Sequence, residues 1–167
     1  DPFAKRSCDM MMAYLIYDLF HELTFPERAD RETLLHHIMG LATHLTARIL
    51  GSTATCNYFM MIYIAELSTP FLHLCWAMYA MGFKETPMFK VVCVIVLISY
   101  FFVRTLWGPF MLWHCYSNGE NWAKNPIDYM LYIPNCVVLV IFVLLNWMWF
   151  RALVVKFVYL PPDGKKI

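Results

Sequence analysis

The chain has 167 residues, of which 60% are hydrophobic and 15% charged, with a mean hydropathy of +0.53 and a formal net charge of +1. Soluble domains carry roughly 45–50% apolar and about 25% charged residues, so this composition excludes an ordinary soluble domain. No basic run of the kind that tracks nucleic acid is present, and six cysteines spread widely along the chain without Cys-x-x-Cys argue against a disulfide framework or a zinc knuckle.

The apolar excess falls in blocks long enough to cross a hydrocarbon core, which takes about 20 largely apolar residues per helix. Five membrane segments are read. The first, residues 8–23, carries Asp18, His21 and Glu22 at its end, and a loop with Pro26 and four charges over 24–31 stops it. The second, 32–50, has Asp30 as a candidate N-cap and Gly51 just past its end. Residues 53–83 form the third, in which Pro70 removes a backbone hydrogen bond and is expected to kink the helix. The fourth covers 87–116 and the fifth 127–158, separated by the polar loop 117–126 and followed by Pro161-Pro162. Unpaired backbone groups have no partner in lipid, so the expected class is all-α, a polytopic membrane helix bundle with five transmembrane helices. No internal repeat is visible.

Orientation is read from the positive residues beside the segment ends. Arg28, Arg31, Lys84, Lys90, Lys165 and Lys166, with Arg151 and Lys156 close by, gather on one side; Lys5, Arg6, Arg48 and Lys124 lie on the other. The asymmetry favours a cytosolic C-terminus. Trp107, Trp113, Trp122, Trp147 and Trp149 lie near segment ends, where an aromatic belt would place them. Asp1 is not an initiator methionine and no signal-peptide pattern follows, so the chain is expected to be processed or to belong to something longer.

Ionisable groups in such segments are costly and mark functional pathways. His37, His44 and Arg48 share one face of the second segment, and His36 points about 100° away. Glu66, Pro70 and His73 form a stripe on the third segment, Asp18 and Glu22 lie one turn apart on the first, and Arg104 stands in the apolar run 100–107 of the fourth. The economical arrangement turns these groups toward one interior cavity, where acid and base offset each other's desolvation. Each also has a structural reading: hydrogen-bonded core histidines, a protonated carboxyl at Glu66, an interhelical clamp or headgroup contact at Arg104. A metal site is not expected. Membrane di-iron enzymes use repeated HxxxH and HxxHH boxes, whereas this chain has HH-x6-H once. No nucleotide-binding Gly-rich loop and no Gly-x-Ser-x-Gly elbow is present.

The chain resembles the TLC-domain family, the multi-spanning domain shared by ceramide synthases and translocating-chain-associated membrane proteins. The resemblance rests on Tyr17-Asp18-Leu19, on Leu35-His36-His37, on the run from Ala65 to His73 (Ala-Glu-Leu-Ser-Thr-Pro-Phe-Leu-His) followed by Trp76, and on Phe101-Phe102-Val103-Arg104 followed by Gly108-Pro109-Phe110. They occur in this order within a resemblance that spans roughly residues 10 to 157. The Glu-Leu-Ser-x-Pro-Phe form is closer to TLC-domain-containing proteins of uncertain chemistry than to the ceramide synthases.

That resemblance implies a bundle of six or more helices around a central cavity open to lipid, with an N-terminal helix missing here. It divides the chain into an N-terminal flank (1–7), a TLC-like transmembrane domain (8–158) and a polar C-terminal tail (159–167). In ceramide synthases a histidine pair and two downstream acids perform acyl transfer. His36 and His37 match the pair and Glu66 the first acid, while Thr69 stands where the second acid is expected and Ala65 where a further histidine stands. The implied catalytic set is therefore His36, His37 and Glu66, and the cavity or lipid-binding set is Asp18, His44, Thr69, His73 and Arg104. The incomplete acid pattern favours a protein of the endoplasmic reticulum or another internal membrane that binds lipid or acyl chains and serves membrane lipid homeostasis. The alternatives are a lipid acyltransferase taking acyl-CoA as substrate, and a structural subunit of a larger membrane complex. Membrane lipids and protein partners are expected, and no cofactor.

Overall fold

The computed structural model of the chain describes residues 2–24, 31–50, 53–122 and 124–159. The caps read at Asp30 and Gly51, Pro26, Glu27 and Arg28 of the first loop, and the residues from Pro161 to the C-terminus lie outside these.

All regular structure among the described residues is helical: α1 (Pro2–Thr24), α2 (Arg31–Leu50), α3 (Thr53–Ile62), a 3₁₀ segment (Tyr63–Ser68), α4 (Thr69–Ala80), a short 3₁₀ turn (Phe83–Glu85), α5 (Pro87–Tyr100), a π segment (Phe101–Leu106), α6 (Trp107–Ser117), α7 (Gly119–Trp122), α8 (Pro126–Val154) and a terminal π turn (Val155–Tyr159). Three stretches are long and apolar enough to cross a membrane: Thr55–Ala80, Pro87–Ser117 and Pro126–Phe157, of 26, 31 and 32 residues. They coincide within one turn with the third, fourth and fifth segments read from sequence. At about 1.5 Å per residue even the shortest exceeds the roughly 30 Å hydrocarbon core. α1 and α2, with 23 and 20 residues, are long enough but more heavily charged than those three. α1 also begins earlier than the apolar pattern predicts, with Pro2 at its first position, where a missing N–H costs nothing.

The outward faces of the apolar helices fit lipid. Val91, Val94, Ile98 and Phe102 are exposed along one side of α5 and its π extension, and Ile133, Val137, Val140 and Leu144 do the same on α8. Their three- and four-residue spacing makes each a continuous stripe. Such contiguous apolar surface is foreign to soluble monomers.

Two of the irregular segments, Tyr63–Ser68 and Phe101–Leu106, shape the interior. Pro70 has no N–H to give the carbonyl four residues back, and its ring crowds that carbonyl. The chain tightens to 3₁₀ over Tyr63–Ser68 and restarts an α-helix with Pro70 in the first turn of α4. The expected kink thus takes the form of a 3₁₀ insertion before the proline. In the π segment, a wider turn carries Arg104 to a buried position.

The described chain divides into two compact units, Asp1–Ile62 with Met111–Phe142 and Tyr63–Phe110 with Val143–Ile167. In the first unit α1 packs on α2 and α3. Gly40 of α2 faces Leu15 of α1 closely enough that a Cβ there would lie 3.3 Å from Leu15 Cδ1. Trp122 is buried, with its ring centroid 4.9 Å from that of Tyr58 and 5.6 Å from that of Tyr132. The aromatic-belt reading therefore fails for Trp122, which is a core residue: the short helix α7 turns it inward. In the second unit the core gathers Cys75 and Met78 of α4 with Val92, Cys93 and Val96 of α5. Thr86 caps α5 by accepting from the Phe89 N–H at 3.2 Å.

Candidate functional site

Each unit holds a cluster of ionisable residues among its helices. In the first unit the cluster is built by α1 and α2. Asp18 and Glu22, one turn apart on α1, present carboxylates to His37 on the facing side of α2. His37 Nε2 lies 3.7 Å from Asp18 Oδ2, and His37 Nδ1 lies 3.3 Å from Glu22 Oε2. His37 is buried, and Nδ1 and Glu22 Oε2 are both shielded from solvent without reaching hydrogen-bond geometry with any group among the described residues. Buried polar atoms in native proteins are nearly always hydrogen-bonded, and exceptions concentrate where a ligand or catalytic role explains them. The His36 ring lies 5.5 Å from that of His37 and stacks on Phe142 of α8 at 5.6 Å. The histidine pair thus has one member among carboxylates and one against an aromatic ring, as expected from their 100° separation.

The second unit's cluster is centred on Arg104. Its Nε donates to the Ala65 carbonyl at 3.0 Å and to Ser68 Oγ at 2.8 Å, while Nη2 donates to Glu66 Oε2 at 3.0 Å and to Thr69 Oγ1 at 2.8 Å. Both hydroxyls pass the polarity onward: Ser68 donates to the Ala65 carbonyl at 3.1 Å, and Thr69 donates to Glu66 Oε2 at 2.6 Å. All four acceptors belong to the 3₁₀ segment or the first residue after it, so the break imposed by Pro70 and the wide turn around Arg104 meet in one network. The guanidinium also lies 5.3 Å from the centroid of Tyr100, whose hydroxyl donates to the buried Asn146 Oδ1 at 3.0 Å.

Of the residues singled out from sequence, the structure brings His37 together with Asp18, and Glu66 together with Thr69 and Arg104. Buried His44 engages its own helix through Nδ1 and the Gly40 carbonyl at 2.5 Å, and His73 lies exposed on α4. Sequence reasoning left Glu22 outside the site although it noted the one-turn spacing from Asp18, which was the available signal. It also missed Ser68, Tyr100, Phe142 and Asn146, residue types common enough in membrane helices that only packing picks them out.

The profile of the TLC domain matches residues 3–155. The chain belongs to the TLC domain family. Searches of curated proteins and of solved structures each returned no significant match. Family membership agrees with the resemblance carried by Tyr17-Asp18, Leu35-His36-His37, the run over 65–73 and Phe101–Arg104. The TLC domain, together with the three apolar spans, makes this an integral membrane protein and associates it with membrane lipid. Within the TLC domain, the histidine pair and Arg104 mark the two polar clusters.

Proposed function

We propose that this TLC-domain protein binds a lipid in the helical interior of its first unit, with the polar headgroup at His37, Glu22 and Asp18 and the acyl chain along apolar helix surface. The observation that carries this reading is the pair of buried atoms without hydrogen bonds, His37 Nδ1 and Glu22 Oε2. A lipid hydroxyl or amine both donates and accepts, and so meets an imidazole nitrogen and a carboxylate oxygen at once. α1 and α2 then lie within the membrane beside the three apolar spans, giving five crossings and a lipid-accessible interior. The positive residues near segment ends favour a cytosolic C-terminus, and an internal membrane such as the endoplasmic reticulum is the compartment in which lipid homeostasis would use such a site.

Native mass spectrometry with lipidomics on the purified full chain tests the proposal. One retained lipid per chain is expected, and it should be lost from Glu22→Gln and from His37→Ala. A folded chain that retains no lipid, or variants that hold it as well as the parent, would overturn the reading.

A second reading, acyl transfer from acyl-CoA to a lipid amine or hydroxyl, is favoured by the carboxylates at both nitrogens of His37, because such partners orient an imidazole for proton transfer. In that reading His36 or His37 is the base or transient acyl acceptor, and a covalent acyl-histidine in the same spectra is its signature.

A further inference from the structure

The six cysteines are spread singly through the sequence, yet folding sets each beside another. Cys8 of α1 neighbours Cys56 of α3, Cys75 of α4 lies 3.6 Å from Cys93 of α5, and Cys115 of α6 lies 3.6 Å from Cys136 of α8, distances between sulfurs. All six are thiols. Two pairs are buried on both sides and serve as the small packing groups that composition suggests. The third is asymmetric: Cys115 is buried and Cys136 only half-buried. Polar groups lie near this pair. The Tyr132 hydroxyl lies beside Cys136, and His114, adjacent to Cys115 in the chain, meets the Tyr58 hydroxyl at 3.1 Å through Nδ1. Gly119 leaves room for Tyr132, since a Cβ there would lie 3.4 Å from its hydroxyl.

We propose that Cys115 and Cys136 form a redox-modification site that takes hydroperoxides, with Cys136 as the sulfur that is attacked and Cys115 as the resolving thiol. Thiol oxidation follows access, and a sulfenic acid formed beside a second thiol condenses with it. The Cys136 sulfur takes the outer oxygen of the hydroperoxide and the O–O bond breaks. The peroxide's other oxygen leaves as an alcohol, or as water from hydrogen peroxide, carrying the thiol proton. The Cys115 sulfur then attacks the sulfenic sulfur, the S–O bond breaks and a water leaves with the second thiol proton. The two thiols are oxidised by two electrons and the peroxide is reduced by two. Sulfurs in van der Waals contact need to approach by only about 1.5 Å to bond. A small neutral peroxide is the oxidant class that reaches a thiol set within an apolar helix. The product ties α6 to α8 within the first unit.

The test treats the full chain, in its native membrane and in detergent, with hydrogen peroxide, blocks remaining thiols with N-ethylmaleimide and maps the peptides without reduction. The expected result is one intramolecular cross-link between the Cys115 and Cys136 peptides, at least about tenfold more abundant than either of the other two pairings. In Cys115→Ser, dimedone should trap a sulfenic acid at Cys136, whereas Cys136→Ser should give no adduct at Cys115. Absence of the cross-link in the parent chain, or equal oxidation of the Cys8–Cys56 or Cys75–Cys93 pair, would overturn the proposal. The parent-chain map decides without either variant.

Discussion

In the second unit Arg104 makes four hydrogen bonds and every acceptor it meets lies in one short stretch of chain, whereas in the first unit His37 sits between two carboxylates with two facing atoms left without hydrogen bonds. Both clusters bury charge among apolar helices, where an unpaired ion is costly. One is closed: donors and acceptors are matched and the hydroxyls of Ser68 and Thr69 serve in both roles. The other is unmatched: His37 Nδ1 and Glu22 Oε2 face each other at 3.3 Å without hydrogen-bond geometry. A matched network holds a backbone irregularity in place, and an unmatched one is available to a ligand. The matched cluster is a clamp and the unmatched one the proposed binding site, although sequence presents both simply as charges in membrane helices.

If Arg104 is the clamp, Arg104→Ala should have the largest effect of any single change considered. It removes the cation paired with the Glu66 carboxylate and the guanidinium hydrogen bonds to the Ser68 and Thr69 hydroxyls, and breaking a buried charged pair costs about 3–5 kcal/mol. Thermal unfolding in detergent should show this as a steep fall in Tm; a shift within error would mean that the network contributes nothing. His37→Ala should cost less, about 2 kcal/mol, because the carboxylates it abandons are only partly satisfied in the parent. Its distinguishing outcome is loss of bound lipid, which Arg104→Ala need not show once corrected for the folded fraction. Lipid loss from both variants in equal measure would erase the contrast between clamp and site.

Tyr100→Phe removes the hydroxyl that donates to buried Asn146 while leaving the ring beside Arg104. The expected cost is about 1–2 kcal/mol, read by the same unfolding measurement. The smallest effect belongs to Arg48→Ala. Arg48 Nε pairs with Asp9 at 2.9 Å, but both side chains are more than two-fifths exposed and solvent screens the pair, so Tm should stay within error of the parent. A larger loss would show that α1 and α2 depend on their exposed charges as well as on the His37 cluster.

Much of the site was legible in the chain. The proline at position 70 announced a break, the ionisable residues announced costly burial, and the quoted motifs carried the family. Partners were harder to read. Glu66 and Arg104 are 38 residues apart, and nothing in either segment states that a 3₁₀ turn and a π turn will bring their side chains within 3.0 Å. Trp122 reads as an interfacial anchor from its place at a segment end, but a four-residue helix turns it into the core between two tyrosines. The cysteines carry the least local signal, since a sulfur pair across two helices leaves no spacing to detect.

The sequence by itself determined the class of the protein: long apolar blocks require helices in lipid, because only a helix satisfies its own backbone there. It also determined which residues would be exceptional, since a charge in such a block has few low-energy options. Only the tertiary structure decided which charge meets which partner, and whether the meeting is matched. Those outcomes depend on the facing of neighbouring helices to within a fraction of a turn, and therefore on packing contacts such as Gly40 against Leu15 that no single segment encodes.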